Sequence, residues 1–189
     1  MKINERVVEW LASKGIEVEF TEEIFPDSFV PGVWLDRGKV IVNRERAHVG
    51  DVLHEAGHLA CIPSKFRELT EPGSLMVPGS RLEAAIKDYC ATHPFVMDAM
   101  GREDPTWRGI MQMADCEATA WAYAASKYLE LPSEILFSER EFGKVPYDGE
   151  GPSIWQCLKA NSYFGINGLQ AGGFCSVREF PQMKRWLAP

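Results

Sequence analysis

Two histidines and a glutamate stand together in the sequence at a spacing that suits metal chemistry. His54, Glu55 and His58 form the pattern H-E-x-x-H. On an α-helix, residues i and i+4 fall about 40° apart around the axis, so both imidazoles can bind one Zn²⁺ ion. Glu55 is rotated by about 100° from His54 and stands beside the metal, where it can accept a proton from water. The pattern therefore predicts a zinc site with Glu55 as general base.

The residues around this motif predict an amphipathic helix with its apolar side opposite the histidines. Apolar side chains recur at helical spacing, at Val49, Val52, Leu53, Ala56 and Ala60. At about 100° per residue, this stripe is centred on the far side of the helix from His54 and His58. Asn43 is the predicted N-cap, and Ile62-Pro63 is the predicted end. We expect the helix to bury one face while its histidines line a cleft.

A catalytic zinc ion usually has three protein ligands, and a second helix offers the third. The stretch between Arg108 and Lys127 contains only two charged residues, Asp115 and Glu117. Such a helix is largely buried, and buried carboxylates are nearly always paired or metal-bound. Alanines along this helix, together with Gly57 in the motif helix, allow the two helices to approach closely. Glu117 is therefore the predicted third ligand.

Three other side chains are alternatives for the third ligand. Glu83 is nearer to the motif along the chain, but its charged neighbours are typical of a solvated helix face. His93 is a further nitrogen donor. Asp115 is better placed to orient one of the histidines through the free N–H of the ring. An ordinary buried ion pair is the alternative role for Glu117 without a metal.

Two segments of the chain resemble gluzincin-type zinc metallopeptidases and are most similar to the ImmA/IrrE-like group. The first is GVWLDRGKVIVNRERAHVGDVLHEAGHLA, in which two strands lead into the motif helix. The second is the alanine-rich helix that follows Glu117-Ala118 and ends at Leu131-Pro132. The resemblance implies a zincin-like fold and a peptide or protein substrate. It also implies these site residues: His54, His58 and Glu117 as metal ligands and Glu55 as base.

The remaining patterns predict an α+β protein, mostly helical, with a small antiparallel sheet packed on the motif helix. Strands are expected at 16–20, 32–35 and 39–42, with a tight turn between the last two. Helices are expected at 3–14, 81–100, 104–129, 152–162 and 178–187. The glycines between 165 and 173 predict a tight turn. The chain is long enough for one core, so we expect a single domain over residues 1–189.

Composition and charge disfavour several classes of function. A net charge of −7 without any basic run argues against nucleic acid or an anionic membrane as a partner. The sequence has no apolar stretch of about 18 residues, and its first fifteen residues lack a signal-peptide core. The five cysteines are scattered without a C-x-x-C pair, which favours reduced thiols in the cytoplasm. The oligomeric state is left open.

Two functions fit these observations. The first is a zinc-dependent hydrolase, a peptidase or amidase that uses metal-activated water. The second is a non-catalytic zincin-fold protein with a binding or regulatory role and a stabilising metal. Retention of Glu55 favours the enzyme, because a structural zinc needs no base and typically has four protein ligands. Four side chains could donate to the oxyanion and none is marked out by spacing: His48, His93, Tyr123 and Tyr163.

Overall fold

The structure is a computed structural model that describes residues 5–25, 30, 32–73, 75, 77–96, 99, 104–132 and 152–189. These residues form an α+β fold. The strands are β1 (Glu17–Thr21), β2 (Val33–Asp36) and β3 (Lys39–Asn43). The helices are α1 (Glu5–Ser13), α2 (Val49–Cys61), α3 (Arg81–Thr92), α4 (Pro105–Met111), α5 (Asp115–Tyr128), α6 (Ile154–Lys159) and α7 (Phe164–Ala171), with a 3₁₀ helix at Ser64–Leu69. None of the helices in these ranges is long and apolar enough to cross a membrane.

The three strands form a mixed sheet in the order β1-β3-β2. β3 pairs antiparallel with β2 but parallel with β1, so the predicted antiparallel sheet is wrong for one of its two strand pairs. Alternating apolar residues identify a strand, but they carry no information about the direction of a partner that is distant in sequence. β3 is the central strand, and four of its five residues are buried.

The tight turn between β2 and β3 is confirmed. Arg37 and Gly38 join the two strands, and both have positive φ angles of 45° and 77°. Two consecutive left-handed residues are typical of the type I′ turn, whose twist matches that of the flanking strands. The turn therefore aligns Asp36 with Lys39 and sets the register of the hairpin.

The apolar stripe of α2 is confirmed, because all five of its predicted residues are buried in the core. The helix ends at Cys61, as expected from Ile62-Pro63. The predicted N-cap is wrong, since the N-cap residue is His48. The side chain of Asn43 instead accepts hydrogen bonds from the backbone N–H groups of Glu45 and Arg46. Asn43 thus turns the chain after β3, before the helix begins.

The single helix expected over 104–129 is two helices, α4 and α5, separated at residues 112–114. The predicted start is confirmed, because the Asp104 side chain accepts from the N–H groups of Thr106 and Trp107. The interruption has a tertiary cause. The carbonyl of Met113 accepts a hydrogen bond from His58 Nδ1, so a contact between helices replaces a bond along the helix. The helix expected over 81–100 ends at Thr92, before the predicted bend at His93-Pro94.

The C-terminal part of the described chain differs most from expectation. Gly165 and Gly168 lie within the helix α7, whereas Gly172 and Gly173 form the turn that follows it, so the predicted tight turn is confirmed only for the second pair of glycines. The predicted helix at 178–187 is absent from the structure. Gly165 and Gly168 have a packing role that sequence patterns do not reveal. A Cβ atom at Gly165 would lie 2.0 Å from the carbonyl oxygen of Cys116, so α7 touches the backbone of α5. Tertiary contact between helices thus explains the glycines.

One connected core joins the sheet, the helices and the last residues of the chain. Trp186 packs on Trp10 and Trp121, with ring centroids 4.8 and 5.4 Å away. The backbone N–H of Ala188 donates to the carbonyl of Ala60, in the last turn of α2, at 2.8 Å. The chain end therefore closes over the motif helix. The single domain over residues 1–189 stays a prediction.

We predict that Gly38→Ala lowers the free energy of unfolding by about 1–2 kcal/mol, because an L-residue is strained at this left-handed φ. Chemical denaturation monitored by circular dichroism measures the change. Arg37→Gly is the matched control, since glycine relieves the positive φ at the neighbouring position, and its effect should be much smaller. Equal losses in the two variants would contradict a strain specific to the Gly38 conformation.

Candidate metal centre

The motif residues project from α2 on the side opposite to its buried stripe. His54 and Glu55 are half-buried, and His58 is buried. The imidazole rings of His54 and His58 meet edge to face, with centroids 4.8 Å apart. The i, i+4 spacing therefore brings the two rings together, as the sequence predicts.

A close contact between α2 and α5 brings the second half of the centre to the motif. A Cβ atom at Gly57 would lie 2.6 Å from the carbonyl oxygen of Ala118 and 2.9 Å from its Cα atom. Only glycine fits at this distance from another backbone. Because α5 begins at Asp115, three residues before Ala118, its first turn lies directly beside the histidines.

Three ligand atoms converge at this point. Asp115 Oδ1 lies 3.1 Å from His58 Nε2 and 3.6 Å from His54 Nε2. Among the described residues, only these three form a group whose ligand atoms all lie within 4.8 Å of one another. Tetrahedral zinc with bonds of about 2.0–2.2 Å separates its ligand atoms by about 3.3–3.6 Å. The 3.6 Å distance lies in this range and the 3.1 Å distance is slightly shorter, so two imidazoles and one carboxylate could hold a divalent ion here after a small displacement.

The second nitrogen of each imidazole has its own partner. His58 Nδ1 lies 3.2 Å from the carbonyl oxygen of Met113, and since a carbonyl only accepts, Nδ1 must carry the proton. His54 Nδ1 lies 3.4 Å from Thr119 Oγ1. Such partners orient metal-binding imidazoles and leave Nε2 free for the ion. The sequence could not have revealed the Met113 carbonyl as a partner, because every residue has one. Thr119 could have been found, because it follows Asp115 by four residues and so lies on the same face of α5.

The charges of the group are coupled. Hydrogen bonds from His54 and His58 hold the pKa of the Asp115 carboxyl well below its usual range. Burial disfavours the charged form of His58, but the hydrogen bond to Asp115 and the negative charge of Glu55 outweigh it and raise the pKa of His58. A proton on the His58 ring offsets the negative charge of the nearby carboxylates. A divalent cation bound at this point would offset the same negative charge.

The centre is closed on one side and open on the other. The His58 side chain is 9% exposed, whereas the Asp115 side chain is 86% exposed. A catalytic zinc site requires such asymmetry, because protein ligands fill three positions and water or substrate needs access to the fourth. The exposed edge of Asp115 marks the side from which a ligand can enter.

Glu55 has the environment of a proton acceptor beside this group. Burial raises the pKa of its carboxyl, while the charges of His58 and His54 oppose the rise. A carboxylate with a raised pKa accepts protons more readily than an ordinary surface glutamate. The raised pKa fits the predicted role of a general base.

Glu117 lies in the first turn of α5 and is only 8% exposed, so its predicted burial is confirmed. Its carboxylate contacts α7, because a Cβ atom at Gly168 would lie 1.9 Å from Glu117 Oε1. Its Oε2 atom is buried and has no hydrogen-bond partner among the described residues. Glu117 is thus outside the converging group, and its role as third ligand stays a prediction.

The other predicted residues lie in separate environments. The Glu83 carboxylate pairs with Lys87 at 2.8 Å and accepts a hydrogen bond from the N–H of Gly79. His93 stacks on Tyr89, with ring centroids 4.2 Å apart. Neither side chain contributes an atom to the converging group of the described residues. Asp115, predicted to orient a histidine, lies within hydrogen-bond distance of His58 Nε2 and 3.6 Å from His54 Nε2, and its predicted role stays a prediction.

Comparisons of the chain with models of protein families, with curated proteins and with solved structures found no match. The resemblance to gluzincin-type metallopeptidases therefore stays an expectation drawn from the sequence.

We predict that Gly57→Ala lowers the free energy of unfolding by about 1–3 kcal/mol, because the added Cβ overlaps the backbone of α5. The same variant should weaken metal binding, since α5 carries Asp115. Thermal denaturation and zinc affinity provide the two measurements. Ala118→Gly in the Gly57→Ala background should not restore either property, because the overlap is with backbone atoms. Full rescue would show that the side chain of Ala118 sets the helix distance.

Proposed function

We propose that the chain is a zinc-dependent hydrolase of peptide or amide bonds with a zincin-like site. The observation that carries the proposal is the convergence of His54, His58 and Asp115, in which Asp115 Oδ1 lies 3.6 and 3.1 Å from the two Nε2 atoms, close to the ligand spacing of tetrahedral zinc. In the proposed site these three residues hold the ion. Asp115 therefore takes the role that the sequence assigns to Glu117.

The donor set favours a catalytic ion over a structural one. Two imidazoles and one carboxylate leave one position for water or substrate, whereas structural zinc sites are usually closed by four protein ligands. A bound zinc ion would lower the pKa of a coordinated water and polarise a substrate carbonyl. The exposure of the Asp115 side chain provides access to that position.

The chain's own residues then account for proton transfer and for ligand orientation. Glu55 is the base that accepts a proton from the attacking water and passes it to the leaving amine. Burial raises the pKa of the Glu55 carboxyl, which makes it a better proton acceptor than an ordinary surface glutamate. Met113 and Thr119 orient His58 and His54 through their Nδ1 atoms. We propose a peptide or protein as substrate.

We predict that Asp115→Asn weakens zinc binding by about 10-fold or more, since even residues behind the ligands have effects of that size. Glu117→Gln should bind zinc with nearly wild-type affinity. Asp51→Asn is the matched control, because Asp51 is a half-buried carboxylate on α2 outside the converging group. Competition with a chromophoric chelator measures all three affinities. If only Glu117→Gln loses affinity, the third ligand is Glu117, as first predicted.

We predict that Glu55→Gln retains bound zinc and the fold but lowers the rate of hydrolysis by about 10²–10⁴-fold, because an amide cannot accept the proton of water. The measurement is cleavage of a broad peptide and amide library by both proteins, with metal content determined in parallel. Equal rates would exclude Glu55 as the base. A zinc-loaded wild-type protein that cleaves no member of the library would favour the non-catalytic regulatory alternative.

A further inference from the structure

Residues 186–188 form an irregular segment, outside any helix or strand, that contacts both helices of the candidate metal centre. The carbonyl oxygen of Trp186 accepts a hydrogen bond from Nε1 of Trp121, in α5, at 3.0 Å. Two residues later, the backbone N–H of Ala188 donates to the carbonyl of Ala60, in the last turn of α2, at 2.8 Å. We call this stretch the bridging segment, because the two helices that it joins carry the proposed metal ligands.

Trp186 attaches the bridging segment to α5 by packing as well as by its carbonyl. Its ring lies 5.4 Å from that of Trp121 and 5.7 Å from that of Tyr128, both in α5. Trp10, in α1, meets the same ring edge to face at 4.8 Å. Because Trp121 is fully buried, water cannot replace the Trp186 carbonyl as the acceptor of its indole N–H. Detachment of the segment would therefore leave a buried donor unsatisfied, which is costly.

The bridging segment limits how far α2 and α5 can separate. The contact between Gly57 and Ala118 sets the smallest distance between these helices, because the two backbones touch there. A steric contact opposes closer approach but does not oppose separation. The two attachment points of the bridging segment are two residues apart, and two residues span at most about 7 Å. The segment therefore holds the last turn of α2 close to the middle of α5.

We infer that Trp186 is a positioning residue that acts through the bridging segment to hold α2 and α5 at the spacing required by the metal ligands. This inference rests on the proposed zinc site. An ion bound between the two helices would favour the same spacing as the attached segment. Two events that favour one state strengthen each other by the same factor. Zinc should therefore tighten the attachment of the segment, although the segment supplies none of the three converging ligand atoms.

Amide hydrogen exchange of the full chain, with and without zinc, tests this coupling directly. The N–H of Ala188 exchanges when the bridging segment detaches, so saturating zinc should slow its exchange by about 5-fold or more. Lys184 is the matched control, since its N–H donates to the carbonyl of Phe174 at 2.7 Å, outside α2 and α5. Zinc should slow the exchange of Lys184 much less. An equal effect on both amides, or no effect on Ala188, would overturn the inference.

Substitutions test the coupling from the other direction, by zinc affinity and by the visible spectrum of the Co²⁺-substituted protein. Trp186→Ala removes the aromatic anchor and should weaken zinc binding by about 5-fold or more and alter the Co²⁺ spectrum. Trp186→Phe retains a ring and should keep most of the affinity. Trp107→Ala is the matched control, because Trp107 is also half-buried but packs on Phe95 and Tyr89, outside α2 and α5. Its affinity and spectrum should be those of the wild type.

The outcomes separate the inference from the proposed function. Wild-type affinity and spectrum in Trp186→Ala, or equal losses in Trp186→Ala and Trp107→Ala, would overturn the inference while leaving the zinc site intact. A wild-type protein that binds no zinc would overturn the proposed function and the inference together. If Trp186→Ala does not fold, the exchange of the Ala188 amide in the wild-type protein decides.

Discussion

The distance between α2 and α5 determines whether the residues of the candidate metal centre meet. α2 supplies the two imidazoles, and α5 supplies the carboxylate of Asp115 and the hydroxyl of Thr119. That distance is set where Gly57 meets the backbone of Ala118, a contact that leaves no space for a Cβ atom. Protein interiors are close-packed, so a displacement at this point cannot be absorbed locally. The whole first turn of α5 would move away from the histidines.

The opposite side of α5 packs on α7, and this contact also depends on glycines that leave no space for a Cβ atom. Gly165 of α7 lies against the carbonyl of Cys116, and Gly168 lies against the side chain of Glu117. The start of α5 is therefore enclosed between two helices that meet it through glycine. This arrangement explains how an exposed aspartate, 86% accessible to solvent, can still occupy a defined position. The packed backbone at the start of α5 fixes the position of Asp115, while its carboxylate is exposed and accessible to a ligand.

The elements that could be predicted from the sequence depend on local patterns, whereas the features that could not be predicted depend on contacts between distant segments. The α2 helix and the β2–β3 hairpin follow from periodicity and turn chemistry within about a dozen residues. The interruption between α4 and α5 depends on Met113 meeting His58 across the core. Without that break, Asp115 and Glu117 belong to one long helix, and burial alone favours Glu117. With it, Asp115 opens a new helix facing the imidazoles, and Glu117 faces α7.

The hydrogen bonds at the end of the chain have a consequence for how the protein folds. Arg67 donates through its guanidinium to the carbonyl of Ala188, and the two residues are 121 positions apart. Ala188 in turn donates to Ala60, so the last turn of the motif helix is secured by the most distant described segment. Contacts of such large sequence separation form slowly, because closing so long a loop costs conformational entropy before the contact repays it. The motif helix can form early from its local sequence, but its C-terminal turn completes its hydrogen bonding only when Ala188 docks on it.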